Sequence, residues 1–205
     1  MSDQIVEDPA SRAQQAAPGI VHHVADPGPL GLAGFAMTTF CLSAANANLW
    51  HGGGAAAALS LALVYGGIAQ FAAGMWEFHR RNTFGALAFT SYGAFWIGFY
   101  VLLKIPAIPP GTNTVAVYLL AWTIFTFYMM IASTRVSTAL MLVFIVLTIT
   151  FILLTIGNWG AGHASIVKWG GWFGLLTAAL AWYASAAGVI NDTFNKVVLP
   201  VGPRG

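Results

Sequence analysis

Polar and apolar residues fall along this chain in blocks rather than in alternation. Six stretches contain no Asp, Glu, Lys or Arg: residues 30–50, 53–76, 84–103, 114–134, 136–156 and 169–190. Each is about 20 residues or longer, enough to cross roughly 30 Å of hydrocarbon at about 1.5 Å per helical residue. Membrane β-strands would be about half as long and polar on one face, and these runs are not. The pattern predicts an all-α integral membrane protein with six transmembrane helices per subunit.

The breaks between the runs are short and rich in turn formers. They are His51-Gly52-Gly53-Gly54, Arg81-Asn82-Thr83, the segment from Pro106 through Pro110 to Gly111, Ser133-Thr134-Arg135, and Gly157-Asn158-Trp159-Gly160. They leave no room for a second domain. Residues 1–29 are polar, acidic and proline-containing, without the apolar core of a secretory signal, so they read as a disordered cytoplasmic tail. Residues 30–190 form the transmembrane domain, and 191–205, with Pro200 and Pro203, a short cytoplasmic segment. Trp50, Tyr100, Trp159 and Trp169 sit near span ends, where amphipathic rings anchor at the interface.

Composition strengthens the membrane reading: 7% of residues are charged, against roughly 25% in a soluble domain, and 58% are apolar. Charge also sets orientation. With a cytoplasmic amino terminus the inner side carries Arg12, Arg80, Arg81, Arg135, Lys196 and Arg204, and the outer loops only Lys104 and Lys168, which favours both termini inside. The formal charge of +2 gives no footprint for nucleic acid. Cys41, the one cysteine, excludes an internal disulfide and reads as a packed thiol.

Chemistry must then come from uncharged groups inside the spans. Gly66, Gln70 and Gly74 recur at four-residue spacing, which places an amide between two glycines on one helical face. Gln70 either bonds a neighbouring helix in a packing groove or lines a permeation path, and the spacing leaves both open. Glu77 closes the second span with Arg81 four residues on. The ordinary reading is a surface ion pair; the other is a shallow proton carrier. Gly170, Gly174 and Ala178 make a small-residue ridge for close helix packing, and Tyr92, Phe95, Trp96, Phe99 and Tyr100 crowd the third span. His22, His23, His51, His79 and His163 lie in the tail, loops or span ends, away from ligand spacing, so no metal or other cofactor is expected. The spans' serines and threonines read as bonding their own backbone, with no nucleophile constellation, so the chain does not read as an enzyme.

Asp26-Pro27-Gly28-Pro29-Leu30-Gly31-Leu32, continued by Gly34-Phe35, resembles the N-P-A-P-L-G-L signature of the acetate/succinate transporter family. The resemblance extends in the family's order through Tyr65-Gly66-Gly67-Ile68-Ala69-Gln70, Glu77, Asn82-Thr83-Phe84-Gly85, Ala88-Phe89-Thr90-Ser91-Tyr92-Gly93 and Ile156-Gly157-Asn158. It implies a subunit assembled into a ring, typically a homohexamer, with a substrate path through each subunit. It also implies an apolar constriction formed by Phe35, Tyr92 and Leu147. Two residues depart from the signature: Asp26 replaces its asparagine and Gly28 its alanine. The aspartate adds negative charge near an anion entrance, or caps the first helix as asparagine would.

Small carboxylic acids have pKa values of roughly 4 to 5, so at neutral pH the expected substrate is an anion whose lost hydration must be replaced. Thr38, Gln70, Ser91 and Tyr92 are the expected polar contacts, joined by backbone N–H groups at the starts of the first, third and fifth spans. Glu77 is the candidate for proton coupling. Two alternatives to acetate transport stay open: ammonia or ammonium movement, also proposed for members of this family, and a non-conducting membrane sensor.

Overall fold

The computed structural model describes residues 24–50, 54–104 and 113–203. His22, His23, His51, Arg12, Arg204, nearly all of the expected tail and the turn from Pro106 to Gly111 lie outside the described residues. Among the described residues, seven α-helical segments form the bundle: α1 (Gly28–Asn46), α2 (Gly54–Leu63), α3 (Gln70–His79), α4 (Thr83–Lys104), α5 (Thr114–Ser133), α6 (Thr138–Gly157) and α7 (Ala164–Phe194). A π-helical segment, Val64–Ala69, welds α2 and α3 into one span, so the described residues hold six helices long and apolar enough to cross a membrane.

The charge-free runs locate these spans but not all their ends. α1 begins at Gly28, inside the segment expected to be tail, because Pro29 fits the first helical turn, where its missing N–H has no partner to lose. α7 runs 31 residues, past the expected limits at both ends, taking in Lys168 and Asp192. A charge near a span end does not stop a helix, since its head can reach the interface. Asn195, at φ 51°, is what stops α7. Between α3 and α4, Arg81 at φ 60° reverses the chain.

Glycine governs how closely the spans approach. A Cβ on Gly34 of α1 would stand 2.6 Å from the Tyr65 carbonyl oxygen, and one on Gly93 of α4 would stand 2.6 Å from the Phe71 backbone nitrogen. On α7, Gly171 meets the α1 backbone at Ser43 and Gly174 meets Ser43 and Thr150, so the expected small-residue ridge packs within the subunit.

The radial distribution suits a lipid solvent. Val64, Ile68, Met75, Ile124, Phe127 and Ile131 are exposed, whereas the largest fully buried side chains are Gln70, Glu77, Thr38, Thr126, Thr177 and Ser133. The carboxy-terminal strap then turns back on the bundle. Asn191 donates to the Leu199 carbonyl and accepts from the Val198 and Leu199 N–H groups, and Tyr183 donates to the Pro200 carbonyl at 2.8 Å. The carbonyls of Gly202 and Val201 accept the Thr138 and Ala139 N–H groups at the start of α6.

Candidate functional site

Two cavities open from opposite ends of the bundle. The larger, about 190 Å³, reaches from the starts of α1, α4 and α6 and the end of α3; its wall includes Asp26, Gly28, Gln70, Glu77, Asn82, Tyr92 and Phe144. The smaller, about 100 Å³, reaches from the other end, past Thr39, Ser43, Asn46, Trp96, Phe99 and Asn158. Phe35 and Leu147 line both. Each sits near the middle of its helix, where a side chain facing inward lies at mid-bundle.

Aromatic packing fixes this middle layer. The Phe35 and Tyr92 rings are 5.6 Å apart, and Tyr92 also meets Phe125 at 5.4 Å and Phe144 at 6.1 Å. The Tyr92 hydroxyl is bonded to Thr126 Oγ1 of α5 at 2.8 Å, so a polar tip that burial would otherwise strand is satisfied and the ring is held. Tyr92 therefore presents its ring rather than its hydroxyl, and lines only the larger chamber.

Gln70 lines the larger chamber, is 1% exposed, and its carbonyl oxygen has no partner among the described residues. Oxygen and nitrogen of an amide exchange places by a half-turn, so this group can offer either a donor or an acceptor to an occupant. The expectation that Gly66 and Gly74 flank it on one face needs correction. The π segment adds residues to its turn, so Gly66 lies against Thr38 of α1 while Gly74 lies against Thr90 of α4.

Thr38 and Ser91 are not brought to either chamber. Thr38 is fully buried and donates to the Gly34 carbonyl at 2.9 Å, and Ser91 is half-buried outside both walls. The polar groups the sequence reading missed lie in the smaller chamber. Thr39 Oγ1 and Trp96 Nε1 are buried without a hydrogen-bond partner among the described residues, and both residues line it. Two buried donors left open cost about 1–3 kcal/mol each unless an occupant accepts from them. Their spacing carries no sequence signal, because unpaired character exists only once every neighbour is in place.

Glu77 stands in the last turn of its span, as expected, but not in a surface ion pair. It is 2% exposed, and it accepts from Asn82 Nδ2 at 2.9 Å instead of pairing with Arg81. The helix frame ends at His79 and Arg81 adopts a left-handed conformation, so the four-residue spacing no longer aligns the two. Glycine makes room for the carboxylate: a Cβ on Gly85 would stand 2.9 Å from its Oε1, and one on Gly28 would stand 3.6 Å away.

The helix starts, expected to offer N–H groups to an anion, are already taken in part. Gly28 N–H donates to Asp26 Oδ1, Gly85 N–H to Asn82 Oδ1, and Leu140 N–H to Ser137 Oγ, while the strap carbonyls take Thr138 and Ala139. Buried amides seek partners, and this chain supplies its own. Along the rest of the signature, Pro27 and Gly31 are buried, Pro29 accepts from Ser185 Oγ at 2.7 Å, Leu32 lines the larger chamber, and Leu30 is exposed. Asp26 lines the same chamber and pairs with Arg80.

Residues 10–203 match the sequence profile of the GPR1/FUN34/yaaH family. The chain is 41% identical over 183 residues to the succinate-acetate/proton symporter SatP of Escherichia coli, covering 87% of this chain and 96% of that one. It is 37% identical over 193 residues to the ammonia transport outward protein 2 of Saccharomyces cerevisiae, covering 89% of this chain and 68% of that one. Among solved structures, that of the bacterial acetate channel SatP superposes with a TM-score of 0.82 at 41% identity, covering 88% of this chain and all of that one. These relatives are transporters or channels, and by profile, sequence and fold this six-span integral membrane protein belongs to the GPR1/FUN34/yaaH family.

Proposed function

We propose that the chain moves small carboxylates, chiefly the monocarboxylate acetate and with it the dicarboxylate succinate, across the plasma membrane through the two chambers described above. The observation that carries this reading is that Phe35 and Leu147 are shared by cavities opening from opposite ends. With Tyr92 beside them they form an apolar neck, and a short acid fits it by chemistry. Its methyl group tolerates the greasy wall while its carboxylate takes donors from the Gln70 amide on one side and from Thr39 and Trp96 on the other. The relatives named for succinate and acetate transport, and the acetate channel of the same fold, support the substrate class.

Both termini are cytoplasmic in this reading, so the larger chamber faces the cytoplasm beside Arg80, Arg81 and Arg135. The subunits form a homohexameric ring, each with its own path. Glu77 carries the coupled proton: it lines the larger chamber, its Oε2 accepts from Asn82, and among the described residues no charged side chain is bonded to it. Uptake of labelled acetate into proteoliposomes, set beside ammonium uptake, tests the proposal. Acetate should accumulate well above empty liposomes. The yeast relative's name favours ammonia as the second reading, and flux of ammonium without acetate would establish it.

A further inference from the structure

The mouth of the larger chamber already holds a carboxylate, one of the protein's own. Asp26 lines the chamber, and its Oδ1 accepts the Gly28 backbone N–H at 3.0 Å. The same oxygen accepts the Arg80 guanidinium, which reaches it from the end of α3 across 54 residues of sequence. A guanidinium and a backbone amide converging on one carboxylate are the donors that recognise carboxylates in general. Arg80 is 36% exposed and Asp26 49%, so water competes with the pair and its net strength is that of an exposed ion pair, weak enough to exchange. Glu77, deeper in the same chamber, accepts from Asn82 rather than from Arg80, which leaves the guanidinium to Asp26.

We propose that Arg80 receives the substrate carboxylate at this mouth and that Asp26 is a built-in competitor for it. An arriving acid anion takes the guanidinium and Asp26 releases it. A tethered group acts at an effective concentration of about millimolar, so the free acid must approach that range to displace it. Asp26 thus sets the concentration at which the mouth fills. The inference rests on the reading of the chain as a carboxylate carrier, which the test keeps separate.

The test titrates the full chain in nanodiscs with acetate by calorimetry and measures acetate uptake by the same variants in proteoliposomes. Asp26→Asn keeps an oxygen for the Gly28 N–H but removes the charge that competes. Its Kd for acetate and its half-saturation concentration should each fall about two- to five-fold. Adding Arg80→Gln to Asp26→Asn should abolish that gain. Unchanged or weaker binding by Asp26→Asn overturns the proposal. So does a gain that survives Arg80→Gln, because the benefit would then come from removing negative charge rather than from freeing the guanidinium. Asp26→Ser, which also retains an oxygen, is read in the same way should the asparagine variant fold poorly. If the wild type binds acetate with this variant pattern but passes none, the carrier reading falls and the Arg80 site stands. If it carries acetate and Asp26→Asn changes neither binding nor uptake, the reverse holds.

Discussion

The two chambers meet the same pair of residues with opposite chemistry. The larger is walled by Asp26, Glu77, Asn82 and Gln70, two of them carboxylates; among the described residues the smaller has no charged residue in its wall, and its polar groups are hydroxyl, amide and indole. Charge at one end and neutral donors at the other make the ends unequal for an anion. On the charged side the carboxylates already have donors, Asp26 from Arg80 and Gly28, Glu77 from Asn82. On the neutral side two donors, Thr39 and Trp96, have none. An acid anion should therefore exchange with existing bonds in the first chamber and make new ones in the second.

Substitutions at the neck and in each chamber sharpen or break this contrast. The largest change should come from Phe35→Ala, which removes a ring common to both walls. The uptake ratio of butyrate to acetate should rise about tenfold or more, since the ring's volume is what rejects the longer chain. An unchanged ratio in folded protein would place the selective step elsewhere. Next, Glu77→Gln preserves shape and the reach to Asn82 while removing an ionisable proton. Acetate uptake driven by an imposed proton gradient should drop several-fold, whereas exchange of labelled for unlabelled acetate without a gradient should change little. Equal losses in both assays would make Glu77 a packing residue. The smallest effect is expected from Trp96→Phe, which keeps an aromatic body and deletes the open N–H. Half-saturation measured from the smaller chamber's side should rise about three- to tenfold, the net value of one ordinary hydrogen bond, and the rise from the other side should be less.

How much of this was legible beforehand follows the range of the forces involved. The six spans could be read because lipid penalises charge over whole runs, a signal that survives any detail of packing. Phe35 and Tyr92 were singled out because they lie within motifs, and the structure sets their rings 5.6 Å apart. Thr38 looked available until packed, but its hydroxyl bonds its own helix over Gly66. Glu77 reads as a surface ion-pair partner because its place at the span end is visible, while the glycines that bury it, Gly28 and Gly85, come from two other helices. The π segment was invisible, because one glycine pair permits it without requiring it. Closure of the α6 start depends on contacts such as Thr138 with Gly202, 64 residues apart, which no local pattern encodes.

Leu147→Trp tests the central claim most directly, by filling the neck where the two chambers share a wall. In proteoliposomes holding correctly folded protein, labelled acetate uptake should fall by at least about tenfold, while acetate binding to the purified variant, read by calorimetry, persists. Uptake at the wild-type rate through the variant would show that acetate does not pass between Phe35 and Leu147.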